Sequence, residues 1–193
     1  MAVLNLNGNW DEGYALDIHV VSSTYLGEDE YGNLVFDTTR SELGQCLYEL
    51  KYQQKKQKSA KLGEIIRPLL KEINLENKID YIIPVPSSTP RFFQPVDVIC
   101  EKVSEIINKN VCYEFLKKNS SNQSKNLTLE EKKKLVDTIE SKKKFNVKAN
   151  VLLIDDLYQS GQTLTECVNV LRNDGNIKKI YVLCMTKTKS KGG

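Results

Sequence analysis

Two adjacent carboxylates, Asp155 and Asp156, stand just ahead of a Ser160-Gly161-Gln162-Thr163 run. A carboxylate pair can hold sugar hydroxyls or a hydrated divalent cation. Ser160, Thr163 and the N–H groups around Gly161 can hold one phosphate if they open a helix, where free N–H groups and positive dipole face outward. Together the two sets suit a sugar phosphate. The elements that must position them are legible nearby. Val151-Leu152-Leu153-Ile154 is an unbroken apolar run, the pattern of a strand buried on both faces of a parallel sheet. Leu164, Val168 and Leu171 then recur at helical spacing up to a stop at Asn173-Asp174-Gly175. The order is strand, acidic pair, short loop, helix, and ligands of open α/β sheets sit outside the carboxyl ends of the strands.

Rival readings of the acidic pair differ in what else they require. A Walker B strand needs a glycine-rich loop ending in Gly-Lys-Ser/Thr, and none of the ten glycines is followed by lysine. A response-regulator receiver needs an acidic cluster near its first strand and a separate phosphorylatable aspartate, a set this sequence does not assemble. The blandest reading is a polar strand end feeding an ordinary helix, with Asp156 as a cap. The Ser-Gly-Gln-Thr run argues against it, because phosphate and sugar ligands then occur together at a fixed offset.

Residues 151–163 as a whole resemble the signature of type I phosphoribosyltransferases, which bind phosphoribosyl pyrophosphate (PRPP), usually with Mg²⁺. The resemblance implies that Asp155 and Asp156 face the ribose hydroxyls and the metal. It implies that Tyr158, Gln159, Ser160, Gly161, Gln162 and Thr163 wrap the 5′-phosphate. Upstream, Tyr81-Ile82-Ile83-Pro84-Val85-Pro86-Ser87-Ser88-Thr89-Pro90-Arg91 resembles the first sheet strand and pyrophosphate loop of the ComF-like, competence-associated branch. Ser87, Ser88, Thr89 and Arg91 would hold the diphosphate, the arginine by its planar fork. Lys117 to Glu131 resembles that branch's flexible loop, which closes over the site and excludes water. Lys125 in that loop would join Asp155 and Asp156 as the catalytic set. Leu47-Tyr48-Glu49-Leu50-Lys51-Tyr52 is similar to the Leu-Lys-Tyr segment ahead of the branch's core. The core resemblance spans roughly residues 79–186.

Three departures qualify the match. ComF-like proteins often begin with a cysteine-rich zinc ribbon, whereas Cys46, Cys100, Cys112, Cys167 and Cys184 include no Cys-x-x-Cys. Ser160 stands where the family often has threonine, an exchange that keeps a hydroxyl donor. Gln159 stands where 6-oxopurine salvage enzymes carry an acid that serves as base near the purine. Glutamine takes no proton at neutral pH, which argues against hypoxanthine or guanine salvage.

The chain has 193 residues, 40% of them hydrophobic and 27% charged, enough for one domain or one domain with an extension. No apolar run approaches a membrane span, and no signal peptide is visible, so the expectation is a cytoplasmic protein without membrane contact. An odd cysteine count without a framework pattern fits reduced thiols. His19, the only histidine, leaves no His-rich metal site or His-based triad. Net charge is +3. The lysines cluster within 51–61 and 132–148 with only Tyr52 and Phe145 among them, which fits solvated helix faces or attraction to phosphate-rich partners, nucleic acid included, rather than single-strand stacking.

In the first 80 residues, Ala15 to Val21 alternates like a half-buried strand. Glu28 to Asn33 reads as a turn and Leu34–Phe36 as a second strand, together a hairpin. Asp37 or Thr38 would cap a helix carrying Leu43, Leu47 and Leu50, and Lys61 to Ile73 forms another. Trp10, Tyr14, Tyr25 and Tyr31 pack, or stack on a base.

The expected fold is an α/β, type I phosphoribosyltransferase-like domain with a mostly parallel sheet flanked by helices. Its strands would be Tyr81–Val85, Val111–Phe115, Val151–Ile154 and Ile180–Cys184. Residues 1–60 would form a hairpin-plus-helix hood, 61–187 the core and 188–193 a frayed tail. Two functions follow. One is Mg²⁺-dependent phosphoribosyl transfer from PRPP to an unnamed acceptor. The other is a non-catalytic PRPP or nucleotide sensor in a nucleic-acid-handling system such as DNA uptake. The resemblance also implies a homodimer.

Overall fold

The computed structural model describes residues 3–52, 58–87, 94–119 and 138–189. A six-stranded sheet forms the middle layer, in the order β1 (Leu4–Asn5), β2 (Glu12–Ile18), β10 (Ile177–Lys187), β9 (Ala149–Tyr158), β5 (Tyr81–Pro84) and β6 (Asn110–Val111). Every pairing is parallel except β1 with β2. Two separate ribbons, β3 (Val20–Glu28) with β4 (Leu34–Arg40) and β7 (Leu116–Asn119) with β8 (Thr138–Ser141), complete the strands. The expected α/β class with helices on a mostly parallel sheet is what forms.

Helices α1 (Glu42–Tyr52), α2 (Lys58–Ile73) and α3 (Pro95–Ile107) contribute to a core on one face, and α4 (Gln162–Arg172) covers the other. Alternation in β9 and β10 feeds both cores. Leu152, Ile154, Leu183 and Met185 point to α1–α3, while Val151, Leu153, Val182 and Cys184 point to α4. All eight are fully buried, which is why 151–154 carries no polar residue. Two helices stop at asparagines in the left-handed conformation, Asn74 after α2 and Asn108 after α3, where a short polar side chain tolerates positive φ.

Several sequence expectations shift. The strand expected at Ala15–Val21 is Glu12–Ile18, and it lies inside the main sheet between β1 and β10, with Ala15, Leu16 and Asp17 all buried. The hairpin is the next segment, β3–β4, turned by Asp29, whose Oδ1 accepts from the N–H groups of Tyr31 and Asn33 at 2.9 and 2.8 Å. Asp37 and Thr38 belong to β4. The cap of α1 is Ser41, whose Oγ accepts from Gly44 N–H at 3.0 Å. The strand expected at Val111–Phe115 is only Asn110–Val111, because the chain turns at Glu114 (φ 55°) and buries Phe115 under the sheet. The tail expected to fray from 188 begins ordered, with Thr188 N–H donating to the Tyr158 carbonyl at 3.0 Å. Trp10 is buried and packs edge-on against Tyr158, at 6.4 Å between centroids, while Tyr25 and Tyr31 are exposed on the hairpin. Among the described residues, no helix is long and apolar enough to cross a membrane.

Candidate functional site

Strand β9 runs four residues past its apolar run, so Asp155 and Asp156 lie within its carboxyl-terminal segment rather than in the loop after it. Asp155 stands opposite Cys184 in register. Burial, and then the neighbouring Asp156 charge, push its carboxyl up to about 7. Its Oδ1 accepts from the Asp156 N–H at 2.8 Å. Asp156 meets Lys51 of α1, with Nζ 3.0 Å from Oδ2. This pair joins residues 105 positions apart. Both side chains keep part of their surface open, 33% for Lys51 and 20% for Asp156.

Strand end, α1 and the loop after β5 enclose a cavity of about 250 Å³ whose polar lining is Lys51, Ser87, Gln94, Asp155, Asp156 and Thr163. The cavity sits outside the carboxyl ends of β5 and β9, where the fold class places ligands. Thr163 enters it from the first turn of α4. Gly161 precedes that helix with φ +78°, and a Cβ there would lie 2.8 Å from the Tyr158 hydroxyl. Both facts require glycine. Ser160 is exposed, its Oγ accepting weakly from Gln162 N–H at 3.4 Å, and Gln162 Nε2 donates to Glu166 at 3.1 Å. Gln159 is also exposed. Tyr158 closes β9, and its ring is taken up by Trp10 and Gly161.

Two smaller spaces adjoin the cavity. One, of about 230 Å³, lies across the Val85-Pro86-Ser87 turn and is lined by Tyr113, Lys117 and Lys118. Lys117 and Lys118 were expected in a loop, but both belong to strand β7. The other, about 80 Å³, lies behind the Lys51–Asp156 pair and is lined by His19, Tyr48, Tyr52 and Leu157. The Thr186 hydroxyl donates to the Asp156 carbonyl at 3.3 Å and sits 2.9 Å from His19 Nδ1. Burial, then the Arg40 charge, lowers the His19 pKa, which favours the neutral imidazole.

The structure therefore brings Asp155, Asp156, Thr163 and Ser87 to one cavity. Ser88, Thr89, Arg91 and Lys125 lie outside the described residues. Lys51 and His19 were not marked by sequence reasoning as site residues. The Leu-Lys-Tyr segment was the one signal for Lys51, and nothing local pointed to His19.

Among the described residues no three His, Cys, Asp or Glu side chains gather as a cation cage. The donor set is two carboxylates, one of them already paired with an ammonium. That suits a Mg²⁺ held chiefly by a ligand's phosphates, which binds few protein carboxylates.

No protein-family model matches the sequence, and no curated protein matches it. Solved structures with a distant likeness exist. An adenine phosphoribosyltransferase aligns over 84% of this chain and 85% of its own, at 16% identity and TM-score 0.45. A purine phosphoribosyltransferase from Pyrococcus horikoshii covers 66% and 77%, at 16% identity and TM-score 0.43. The adenine phosphoribosyltransferase of Saccharomyces cerevisiae, solved with an imino-altritol bisphosphate and adenine, covers 84% of each chain at 12% identity and TM-score 0.45.

Proposed function

We propose that this protein binds PRPP and transfers its phosphoribosyl group to an acceptor, with pyrophosphate leaving. The observation that supports this most is the single cavity shared by the Asp155–Asp156 pair, Thr163 at the start of α4, and Ser87 after β5. Those groups match the three parts of the ligand. Thr163, with the N–H groups of the first turn behind Gly161, takes the 5′-phosphate. Asp156 and Asp155 take the ribose hydroxyls. Ser87, with Ser88, Thr89 and Arg91 that follow it in sequence, takes the diphosphate. Asp155 and Asp156 would hold a Mg²⁺ ion, which would supply neutralisation of the leaving group. Positive charge grows on the ribose as its bond to the diphosphate breaks, and the Asp156 carboxylate stands ready to oppose it. Lys51 balances that carboxylate in the free protein and can turn its ammonium to the anionic ligand. Lys125, which lies outside the described residues, would complete the set that stabilises the leaving group.

A second reading keeps the ligand and drops the chemistry. Gln159 is exposed beside the site and offers no proton acceptor, which favours a PRPP- or nucleotide-sensing adaptor. The ComF-like resemblance would place such an adaptor in a nucleic-acid-handling system. Release of pyrophosphate from PRPP across a panel of nucleobases separates the two. Base-dependent release supports the transferase. Tight binding without release for any base supports the sensor.

A further inference from the structure

Displacement at the ribose needs a nucleophile on the side away from the departing diphosphate. Strand β9, which carries the acidic pair, lies between β5 and β10. Ser87, the residue offered to the diphosphate, follows β5. On the other side of β9, His19 follows β2, and its N–H donates to the Lys187 carbonyl of β10 at 2.8 Å. The small space that His19 lines with Tyr48, Tyr52 and Leu157 shares Lys51 and Asp156 with the main cavity. A group seated there meets the ribose from the side opposite the diphosphate.

The surroundings of His19 leave one ring nitrogen free to act. The Thr186 hydroxyl is fully buried and meets two partners, the Asp156 carbonyl at 3.3 Å and His19 Nδ1 at 2.9 Å. A carbonyl only accepts, so the hydroxyl proton goes to it, and Thr186 Oγ1 in turn accepts from His19 Nδ1–H. In the neutral imidazole, favoured here by burial and the Arg40 charge, Nε2 then carries the lone pair. The backbone is fixed as well. Ser41 N–H donates to the His19 carbonyl at 3.3 Å, and a Cβ at Gly44 would collide with that oxygen, so α1 seats on it only with glycine there. The Asp156 charge favours a proton added to the ring, whereas Gln159 takes none.

We propose that His19 is the general base of the transfer, its Nε2 taking the proton from a ring N–H of a nucleobase acceptor. The assignment rests on the transferase reading. As Nε2 takes the proton, the acceptor nitrogen's electron pair forms the bond to C1 of the ribose. The C1–O bond breaks, and its electron pair leaves with pyrophosphate. The test is the rate of pyrophosphate release from PRPP with adenine, guanine, hypoxanthine or uracil, in the wild type and in His19→Asn. The asparagine amide N–H keeps the bond to Thr186, and only the Nε2 lone pair is lost. Turnover should fall about a hundredfold or more, the scale of a general base, with PRPP affinity by calorimetry unchanged. Added imidazole should restore turnover to His19→Ala, and stronger bases of the imidazole series should restore more, a graded response that a structural role does not produce. His19 is the one histidine of the chain, so its ¹⁵N ring signals are unambiguous, and in the free protein they should show the proton on Nδ1. A proton on Nε2, or a His19→Asn protein as fast as the wild type, would overturn the assignment and leave the transferase reading intact. PRPP bound by the wild type without pyrophosphate release for any base would end the transferase reading and this assignment with it.

Discussion

Lys51 Nζ lies 3.0 Å from Asp156 Oδ2 and ties the last turn of α1 to the carboxyl end of β9. The pair lies at the seam between the main cavity and the small space lined by His19, Tyr48 and Tyr52. In the free protein one ammonium balances the carboxylate that the ribose would need. The N-terminal helix is therefore part of the site, not only its cover.

Lys51→Met should separate stability from binding. A partly exposed ion pair contributes about 1 kcal/mol or less, so the thermal midpoint should fall only slightly. PRPP affinity should fall about tenfold or more, because a charge-assisted hydrogen bond to an anion contributes about 1.5–3 kcal/mol. Scanning calorimetry reads the midpoint and titration calorimetry the affinity. Unchanged affinity would confine Lys51 to a structural role.

Asp155 makes stability depend on pH. Its folded pKa is pushed up to about 7, above the ordinary carboxylate range, because burial and the Asp156 charge disfavour ionisation. Below the unfolded value both states are protonated and no penalty exists. As pH rises from the unfolded value toward 7, the unfolded chain has released a proton that the folded chain retains, so folding stability falls; above 7 both states are ionised and the loss levels off. Asp155→Asn should therefore raise the melting temperature relative to wild type at pH 8, with little gain at pH 4. An equal shift at both values would contradict the assigned cause.

Gly161→Ala should cost about 1–2 kcal/mol, since φ +78° puts a Cβ residue in the left-handed region and the new methyl meets Tyr158. The same change should weaken ribose 5-phosphate binding by shifting the first turn of α4. Chemical denaturation and a ribose 5-phosphate titration measure the two effects. A variant as stable as wild type would mean that Tyr158 and the turn relax freely.

Much of this was readable from local pattern. The run 151–154 had to be a strand buried on both faces because its four apolar side chains feed two cores. The helix from Gln162 to Arg172 was visible in its own spacing. Where contacts are distant in sequence, legibility ended. Glu12–Ile18 alternates like a half-buried strand, and only its parallel pairing with β10 buries both faces. Asp37 and Thr38 offer the same capping chemistry as Ser41, and only the pairing of both with β3 leaves the cap to Ser41. Asp155 and Asp156 were recognised, but the continuation of β9 through Tyr158 was not, since acids usually mark a strand's end. Lys51 reaches Asp156 from 105 residues away, a distance over which no spacing rule operates.

The central claim is tested most directly by titrating PRPP, with and without Mg²⁺, into the wild-type protein and into Asp156→Asn, with circular dichroism to confirm that the variant folds. The account predicts Mg²⁺-enhanced binding to the wild type and loss of that binding in a folded variant. Equal binding to both proteins, or no binding to the wild type, would contradict it.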